Sequence, residues 1–165
     1  GASMSLRRSH WFAPPASLIA ALILSVVPLP EAIVAFRPDW VAVVLIYWSL
    51  IEPRRYGLLT AFWLGLVLDT LTGSLLGQHS LALLVLVYLS QRFYLRIRAY
   101  PASQVAIIVI GMLALYEFIL FWIDGVAGRS VPLTERWAPV MTGGLLWLLV
   151  LVGIERGRQA AEARM

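Results

Sequence analysis

Long apolar runs alternate along the chain with short segments that carry arginine, proline or glycine. The runs approach the length that a helix needs to cross a bilayer, about 20 residues. They predict about six transmembrane helices, so the expected fold class is an all-α integral membrane protein. The predicted spans are Pro14–Val27, Trp40–Ile51, Gly57–Leu71, Leu75–Ser90, Ser103–Ile123 and Trp137–Ile154.

Prolines mark the ends of the first two spans. The pair Pro14-Pro15 suits a helix start, where no backbone donor is lost, and Pro28 and Pro30 end the first span. The second span closes before Pro53 and is short for a membrane crossing, unless it begins earlier, near Phe36.

An uncharged connection, Thr72-Gly73-Ser74, joins the third and fourth spans. Two short helices with an uncharged tip are also compatible with a re-entrant hairpin that is buried against protein. Both arrangements return the chain to the same side at Gln91, so charge counting does not separate them. Six full spans are the preferred interpretation, and four spans plus a hairpin are the alternative.

Arginines are distributed unevenly around these spans. Ten of the thirteen form clusters at the termini or at every second connection, whereas Arg37, Arg129 and Arg136 lie in the intervening loops. Basic loops resist translocation, so both termini are expected in the cytoplasm. The clusters are Arg7/Arg8, Arg54/Arg55, Arg92/Arg96/Arg98 and Arg156/Arg158/Arg164.

The composition agrees with a one-domain membrane protein. The chain has 165 residues, of which 61% are hydrophobic, and its mean hydropathy is +0.84; soluble domains are about 45–50% apolar. The net charge of +4 does not indicate nucleic-acid binding, because the arginines lie at span ends. Headgroups of the lipid bilayer are the expected counter-charge. Cysteine is absent, which excludes disulfides and thiolate chemistry.

Three segments of different character are predicted. Gly1-Ala2-Ser3 precede Met4 and are typical of a cloning scar. Residues 4–154 form a single polytopic membrane domain. Residues 155–165 mix arginine, glutamate and alanine and form a cytoplasmic continuation of the last helix.

The segment Phe36-Arg37-Pro38-Asp39-Trp40 leads into the second span. Asp39 is placed to accept hydrogen bonds from the free N–H groups of the helix start and to pair with Arg37. The alternative is a partner-docking site or structural lock at the outer surface. Because Pro38 biases Arg37 toward an extended conformation, we expect a bidentate contact from Arg37 to a carboxylate, on Asp39, Glu31, Asp69 or a partner.

Gly65, Asp69, Gly73 and Gly77 recur at intervals of four residues. On one helix this spacing places them on a single face, where small residues let another helix approach closely. An ionisable Asp69 inside a membrane helix is a functional-site hypothesis by default. The alternative is that Asp69 caps the turn that follows the third span.

Glu117 lies in the middle of the fifth span and is the deepest carboxylate of the chain. It needs a partner or it will be protonated. The candidate partners are the Tyr116 hydroxyl, Arg37 or a polar residue of another subunit. Three roles are open for Glu117: it holds two helices of the chain together, it contacts a partner helix, or it lies on a substrate or proton path.

No catalytic, metal or cofactor site is predicted. Ser74, His79 and Asp69 could suggest a Ser–His–Asp set, but no nucleophile-elbow or zinc-helix motif surrounds them, and His10 is the only other histidine. Gln78 and His79 are expected to satisfy the backbone of the turn.

These segments together resemble the MreD family of rod shape-determining membrane proteins. The resemblance is carried by Phe36-Arg37-Pro38-Asp39-Trp40, by Tyr47-Trp48 and by Gly65 to Gly77, and it extends over nearly the whole chain. It matches the family motif at Arg37, Asp39, Trp40, Asp69, Gly73 and Gly77. The family is similar in fold to the substrate-binding S-components of energy-coupling-factor transporters, so this fold is the expectation here.

The resemblance implies a non-enzymatic scaffold of the elongation complex in the bacterial inner membrane. Family members bind the bitopic protein MreC and act through it with the MreB filament, RodA and its class B transpeptidase in peptidoglycan synthesis. A second copy of the chain is another possible partner. The alternative, suggested by the S-component likeness, is a small-ligand-binding or transport module. Such a module should show a polar cavity lined by Asp69 or Glu117.

Overall fold

The computed structural model describes residues 15–51, 53, 57–129 and 131–165. These residues form α-helices and one short 3₁₀ turn, Val34–Phe36, and they contain no strand. The predicted cloning scar and the arginine clusters at residues 7–8 and 54–55 lie outside the described residues. The helices are α1, Pro15–Val26; α2, Trp40–Ile51; α3, Leu58–Thr72; α4, Gln78–Ala99; α5, Ala102–Val126; and α6, Leu133–Ala163.

The predicted spans match α1, α2, α3 and α5 closely, but α4 and α6 differ. The fourth span was expected to end at Ser90, whereas α4 continues to Ala99 and carries three arginines on the way. Arginine and leucine favour helix, and the helix ends only before Pro101, which disfavours helical backbone at the preceding residue. Helix α6 begins directly after Pro132 and includes the predicted helical tail as far as Ala163.

Helix α4 is the centre of the bundle, because it packs against α2, α3 and α5, while α5 packs against α6. The core between α2 and α4 contains Leu45, Ile46, Leu83 and Leu86, none of them more than 1% exposed. Aliphatic side chains at these positions fill the space between the helices, as close packing requires.

Gly65 allows a close approach between α3 and α4. A Cβ atom added at this glycine would lie 2.2 Å from the Cα of Ser80, so α3 and α4 cross backbone to backbone here. The Ser80 hydroxyl also donates to the Phe62 carbonyl at 2.9 Å. The prediction that Gly65 serves close helix packing therefore describes a contact within the chain.

The two ends of the bundle differ in charge. At one end, the polar end, helix termini are joined by side-chain bonds, such as Gln78 Nε2 of α4 to Asp124 Oδ1 of α5 at 2.7 Å. The opposite, basic end carries Arg92, Arg96 and Arg98 on α4 and the arginines of the α6 tail. There, Gln91 donates to the Pro53 carbonyl at 2.7 Å, which ties α4 to the segment after α2.

Helix lengths set a limit on the number of membrane crossings. Among the described residues, Gln78–Ala99 and Ser103–Val126 are long and apolar enough to cross a membrane, whereas Pro15–Val26, Trp40–Ile51 and Leu58–Thr72 are shorter. A helix of 12 residues such as α2 measures about 18 Å. Helix α4 has 22 residues. The six-span count and the alternative of four spans plus a hairpin both stay predictions.

The short α2 makes a recess at the polar end. Asp39, just before α2, lies at hydrogen-bonding distance from Glu117. Glu117 precedes the end of α5 at Val126 by two and a half turns, about 14 Å along the helix. The connection between α1 and α2 therefore reaches down into the bundle, and a cavity opens above it.

We predict that Gly65→Ala destabilises the protein by about 1–3 kcal/mol, because the new methyl group meets the backbone of α4, which cannot move aside without shifting the helix. The matched control is Gly111→Ala, since a Cβ at Gly111 meets nothing within 4 Å. Alanine there should be neutral or slightly stabilising. Thermal unfolding of both variants in detergent, followed by tryptophan fluorescence, measures the difference. Equal midpoints for the two variants would contradict the packing argument.

Candidate functional site

A buried cluster of polar side chains lies at the polar end and joins α2 to α6. We call it the polar cluster. Most of its members are less than 10% exposed, which is unusual for ionisable groups and requires that each finds partners inside the protein. Its members are Asp39, Asp69, Gln78, His79, Glu117, Asp124 and Arg136.

Asp69 organises the turn between α3 and α4. Its Oδ1 accepts from the Ser74 hydroxyl at 2.8 Å and from the His79 backbone N–H at 2.9 Å, and its Oδ2 accepts from the Gly77 N–H at 2.8 Å. His79 Nδ1 lies 2.6 Å from Oδ1. With 1% of its surface exposed, Asp69 is therefore a buried anchor of the turn, which is the second of the two sequence interpretations.

Gly73 and Gly77 belong to the same turn and do not extend a helix face. Helix α3 ends at Thr72, Gly73 follows with φ 68°, and Gly77 precedes α4 with φ 96°. Left-handed backbone of this kind favours glycine. A Cβ at either glycine would meet nothing within 4 Å in this chain. The expectation that Gly65, Asp69, Gly73 and Gly77 share one helix face is wrong, and contact of the turn with a partner helix stays a prediction. The four-residue spacing misleads because the helix stops inside it.

Ser74, His79 and Asp69 are in mutual contact, yet they do not form a catalytic triad. The Ser74 hydroxyl lies 3.1 Å from His79 Nδ1, the same ring nitrogen that contacts Asp69. In a triad the acid and the serine bind opposite nitrogens of the imidazole. Here the serine also donates directly to the acid. The arrangement fixes the turn, and Asp69 does not orient His79 as a base for Ser74.

Arg136 is the main cation of the polar cluster, and sequence reasoning missed it. Its Nη2 donates to Asp124 Oδ2 at 2.6 Å, and its Nη1 donates to the Glu117 carbonyl at 3.0 Å and lies 3.5 Å from Glu117 Oε2. The sequence placed Arg136 in a loop, whereas it belongs to the first turn of α6 and is 3% exposed. The sequence did contain one signal for a buried arginine: two acids, Glu117 and Asp124, lie on the preceding helix and need a cationic partner.

Asp39 and Glu117 form a carboxyl pair across α2 and α5. Their carboxyl groups lie at hydrogen-bonding distance from each other, and Asp39 Oδ2 is buried without a donor among the described residues. Two carboxyl groups this close share a proton, since both cannot ionise easily. Burial raises the pKa of Asp39, which lies outside the helices, above its ordinary value. Asp39 and Arg136 were not among the expected partners of Glu117.

Arg37 makes a bidentate contact, but its acceptors are not carboxylates. Its two terminal nitrogens donate to the backbone carbonyls of Ser25 and Val27 at the end of α1. The last carbonyls of a helix have no intrahelical donor and carry a partial negative charge, so a guanidinium suits them. Within the chain, the expected contact from Arg37 to Asp39, Glu31 or Asp69 is therefore wrong, because the carbonyls at the end of α1 accept both terminal nitrogens.

A cavity of about 240 Å³ lies beside the polar cluster. Residues of the α1–α2 connection, α2, α3, α4, α5 and α6 line it, and Trp40 lies at the start of α2 in its wall. Glu117 borders this cavity, as the ligand-module alternative requires, whereas Asp69 does not. Among the described residues no group of three or more metal-ligating side chains comes together. The polar lining comprises Ser25, Arg37, Asp39, Thr72, His79, Tyr116, Glu117 and Glu135.

Comparison with known proteins gives two matches. The family described as rod shape-determining protein MreD matches residues 6–153. The rod shape-determining protein MreD of Haemophilus influenzae is 26% identical over 153 residues, which cover 93% of this chain and 94% of that protein. No solved structure matches the chain. The S-component likeness of the fold therefore stays a prediction.

We predict that Asp69→Leu destabilises the protein more than Asp69→Asn does. Asparagine keeps one acceptor oxygen for Ser74 and His79 but places a donor against the Gly77 N–H, whereas leucine loses every bond. Each hydrogen bond to a charged group contributes about 1.5–3 kcal/mol. Thermal unfolding in detergent gives the order. The control is Thr70→Val, because Thr70 is exposed and its hydroxyl donates only to the Leu66 carbonyl. Equal losses for Leu and Asn would mean that Asp69 does not hold the turn.

Proposed function

The chain belongs to the MreD family of rod shape-determining membrane proteins, as its motifs predicted, and from that membership we propose that it is a non-enzymatic scaffold of the elongation complex. In this role it binds MreC in the bacterial inner membrane. Through MreC it acts with MreB, RodA and the class B transpeptidase to support lateral peptidoglycan synthesis. The family match over residues 6–153 is the observation that carries the proposal.

The arrangement of polar residues supports a scaffold more than an enzyme. Ser74, His79 and Asp69 are bound to one another in a turn, and Arg136 is engaged by Asp124 and the Glu117 carbonyl. Groups held in this way stabilise helix ends and do not accept a reacting atom. A bundle whose helix ends are tied by charged side chains is suited to present a fixed surface to partner proteins.

The distribution of arginines supports an orientation in the membrane. The basic end carries the α4 arginines and the α6 tail, and the polar end carries the acids. Basic segments stay on the cytoplasmic side, so the polar end, with its cavity, faces the extracytoplasmic side. Both termini are then cytoplasmic.

A small-ligand-binding module remains the second candidate, and the cavity lined by Glu117 is the observation that favours it. The volume of about 240 Å³ lies just below the range of ~300–1,000 Å³ that is typical of small-molecule pockets. Scaffold and ligand binding are compatible, because the cavity occupies one end of the bundle and leaves the helix surfaces free.

For the orientation, we predict that reporters fused at Met4 and at Met165 are active only as cytoplasmic reporters. Enzymes that need the periplasm should stay inactive at both ends and become active when inserted at Gly128, in the α5–α6 connection at the polar end. The insertion is the internal control for folding and expression. Periplasmic activity at either terminus would refute the orientation.

For the scaffold role, we predict that the full chain recovers MreC when it is purified from membranes that contain both proteins. The association should survive in detergent and give a defined complex by size-exclusion chromatography with light scattering, which also shows whether a second copy is present. An unrelated single-span protein at equal abundance is the control. Recovery of the control at the same level as MreC, or no recovery of MreC at all, would overturn the proposed scaffold role.

A further inference from the structure

The cavity at the polar end brings two buried carboxyl groups and three aromatic rings to one space. Asp39 and Glu117 form part of its wall as a carboxyl pair. Trp40, Tyr116 and His79 supply the rings. At about 240 Å³, the space exceeds that of a single water, whose share of liquid volume is ~30 Å³, several times over.

The neighbouring arginines do not neutralise the carboxyl pair fully. Both terminal nitrogens of Arg37 are bound to backbone carbonyls of α1. Arg136 makes its short contact with Asp124 at 2.6 Å and approaches the Glu117 carboxylate only to 3.5 Å. Asp39 has no described arginine at hydrogen-bonding distance, and its Oδ2 has no donor among the described residues. Among the described residues of the cavity wall, the buried side-chain atoms without a hydrogen-bond partner are the acceptor Asp39 Oδ2 and the donor Arg37 Nε, so the free acceptor belongs to the carboxyl pair.

Two further groups beside the cavity each lack one hydrogen bond that they could make. Tyr116 is 2% exposed, and no described residue makes a hydrogen bond with its hydroxyl. Pro139 lies inside α6 and has no N–H, so the Glu135 carbonyl lacks its helical donor; both residues line the cavity. A buried tyrosine normally finds a partner for its hydroxyl. The Tyr116 hydroxyl oxygen and the Glu135 carbonyl oxygen can each accept a hydrogen bond from a ligand in the cavity.

We propose that this cavity binds a small organic cation that carries a primary ammonium group. The three N–H donors of the ammonium suit the Asp39 and Glu117 carboxylates and the Tyr116 hydroxyl, and its alkyl part suits the Trp40 ring. The aromatic lining and the small number of oxygen ligands favour an organic cation over a metal ion. On binding, the proton that the carboxyl pair shares leaves to solvent, and the ammonium takes its place between the two carboxylates.

The environment of the carboxyl pair sets the charge balance of this exchange. Negative neighbours favour the bound cation, and positive neighbours oppose it, with Arg136 the nearest of the positive groups to Glu117. The charged and titratable groups that surround the pair, from every packed element, are Arg37, Asp69, His79, Tyr116, Asp124, Glu135 and Arg136.

The test uses the full chain in detergent and dicyclohexylcarbodiimide, which reacts with protonated carboxyl groups in apolar surroundings and leaves a stable adduct. Mass spectrometry of peptides then quantifies labelling at Glu117 and Asp39. We expect labelling without ligand and its loss with n-butylammonium chloride. At ten times its Kd, butylammonium should leave about a tenth of the labelling. Sodium chloride and tetramethylammonium chloride at equal ionic strength, neither of which donates N–H bonds, should protect much less.

Two variants distinguish binding in the cavity from effects of butylammonium on the protein as a whole. Tyr116→Phe removes one hydroxyl, so labelling should remain and protection should need several-fold more butylammonium. Glu31→Gln is the matched control, because Glu31 is exposed near the same end and outside the cavity lining; it should behave as the wild type. Labelling that butylammonium does not reduce, protection equal with sodium or tetramethylammonium, or an unchanged Tyr116→Phe titration would each overturn the proposal. None of these outcomes depends on MreC binding.

Discussion

Ionisable side chains inside the helix bundle must find their partners within the protein, and this requirement shapes the polar end. Asp124 and Arg136 are at most 8% exposed and pair across α5 and α6, while Gln78 joins them from α4. Removing one partner from such a buried pair typically costs about 3–5 kcal/mol, because the other charge is left alone. The cluster thus fixes how the ends of α4, α5 and α6 meet.

The same requirement explains why the connections differ so much. The α3–α4 turn is short and closed around Asp69, whose carboxylate collects the donors of Ser74, Gly77 and His79. The α1–α2 connection instead dips into the bundle, where Arg37 binds the end of α1 and Asp39 meets Glu117. In the α3–α4 turn the polar groups form hydrogen bonds with one another. The α1–α2 connection instead places polar groups without such bonds beside the cavity.

The sequence allowed a good prediction of helices and family, but a poor one of polar partners. Apolar runs and prolines placed α2 correctly at Trp40–Ile51, because these signals act locally. The burial of Arg136 could not be predicted, since its partners Glu117 and Asp124 lie on another helix and the pairing depends on how α5 and α6 pack. The prediction from the four-residue spacing of Gly65, Asp69, Gly73 and Gly77 failed for a different reason: the regular spacing gave no sign that α3 ends at Thr72.

The polar end divides into a satisfied part and an unsatisfied part, and the division has a physical meaning. Asp69, Asp124 and Arg136 each have short bonds within the chain, so folding alone accounts for their presence. Asp39 Oδ2 lacks such a bond although it is buried, and the Tyr116 hydroxyl makes no hydrogen bond with a described residue. Burying a polar group without a partner is unfavourable, and proteins tolerate it mainly where function needs it. The bonded groups therefore account for the fold of the polar end, whereas the Asp39–Glu117 pair is the part that the proposed cation would contact.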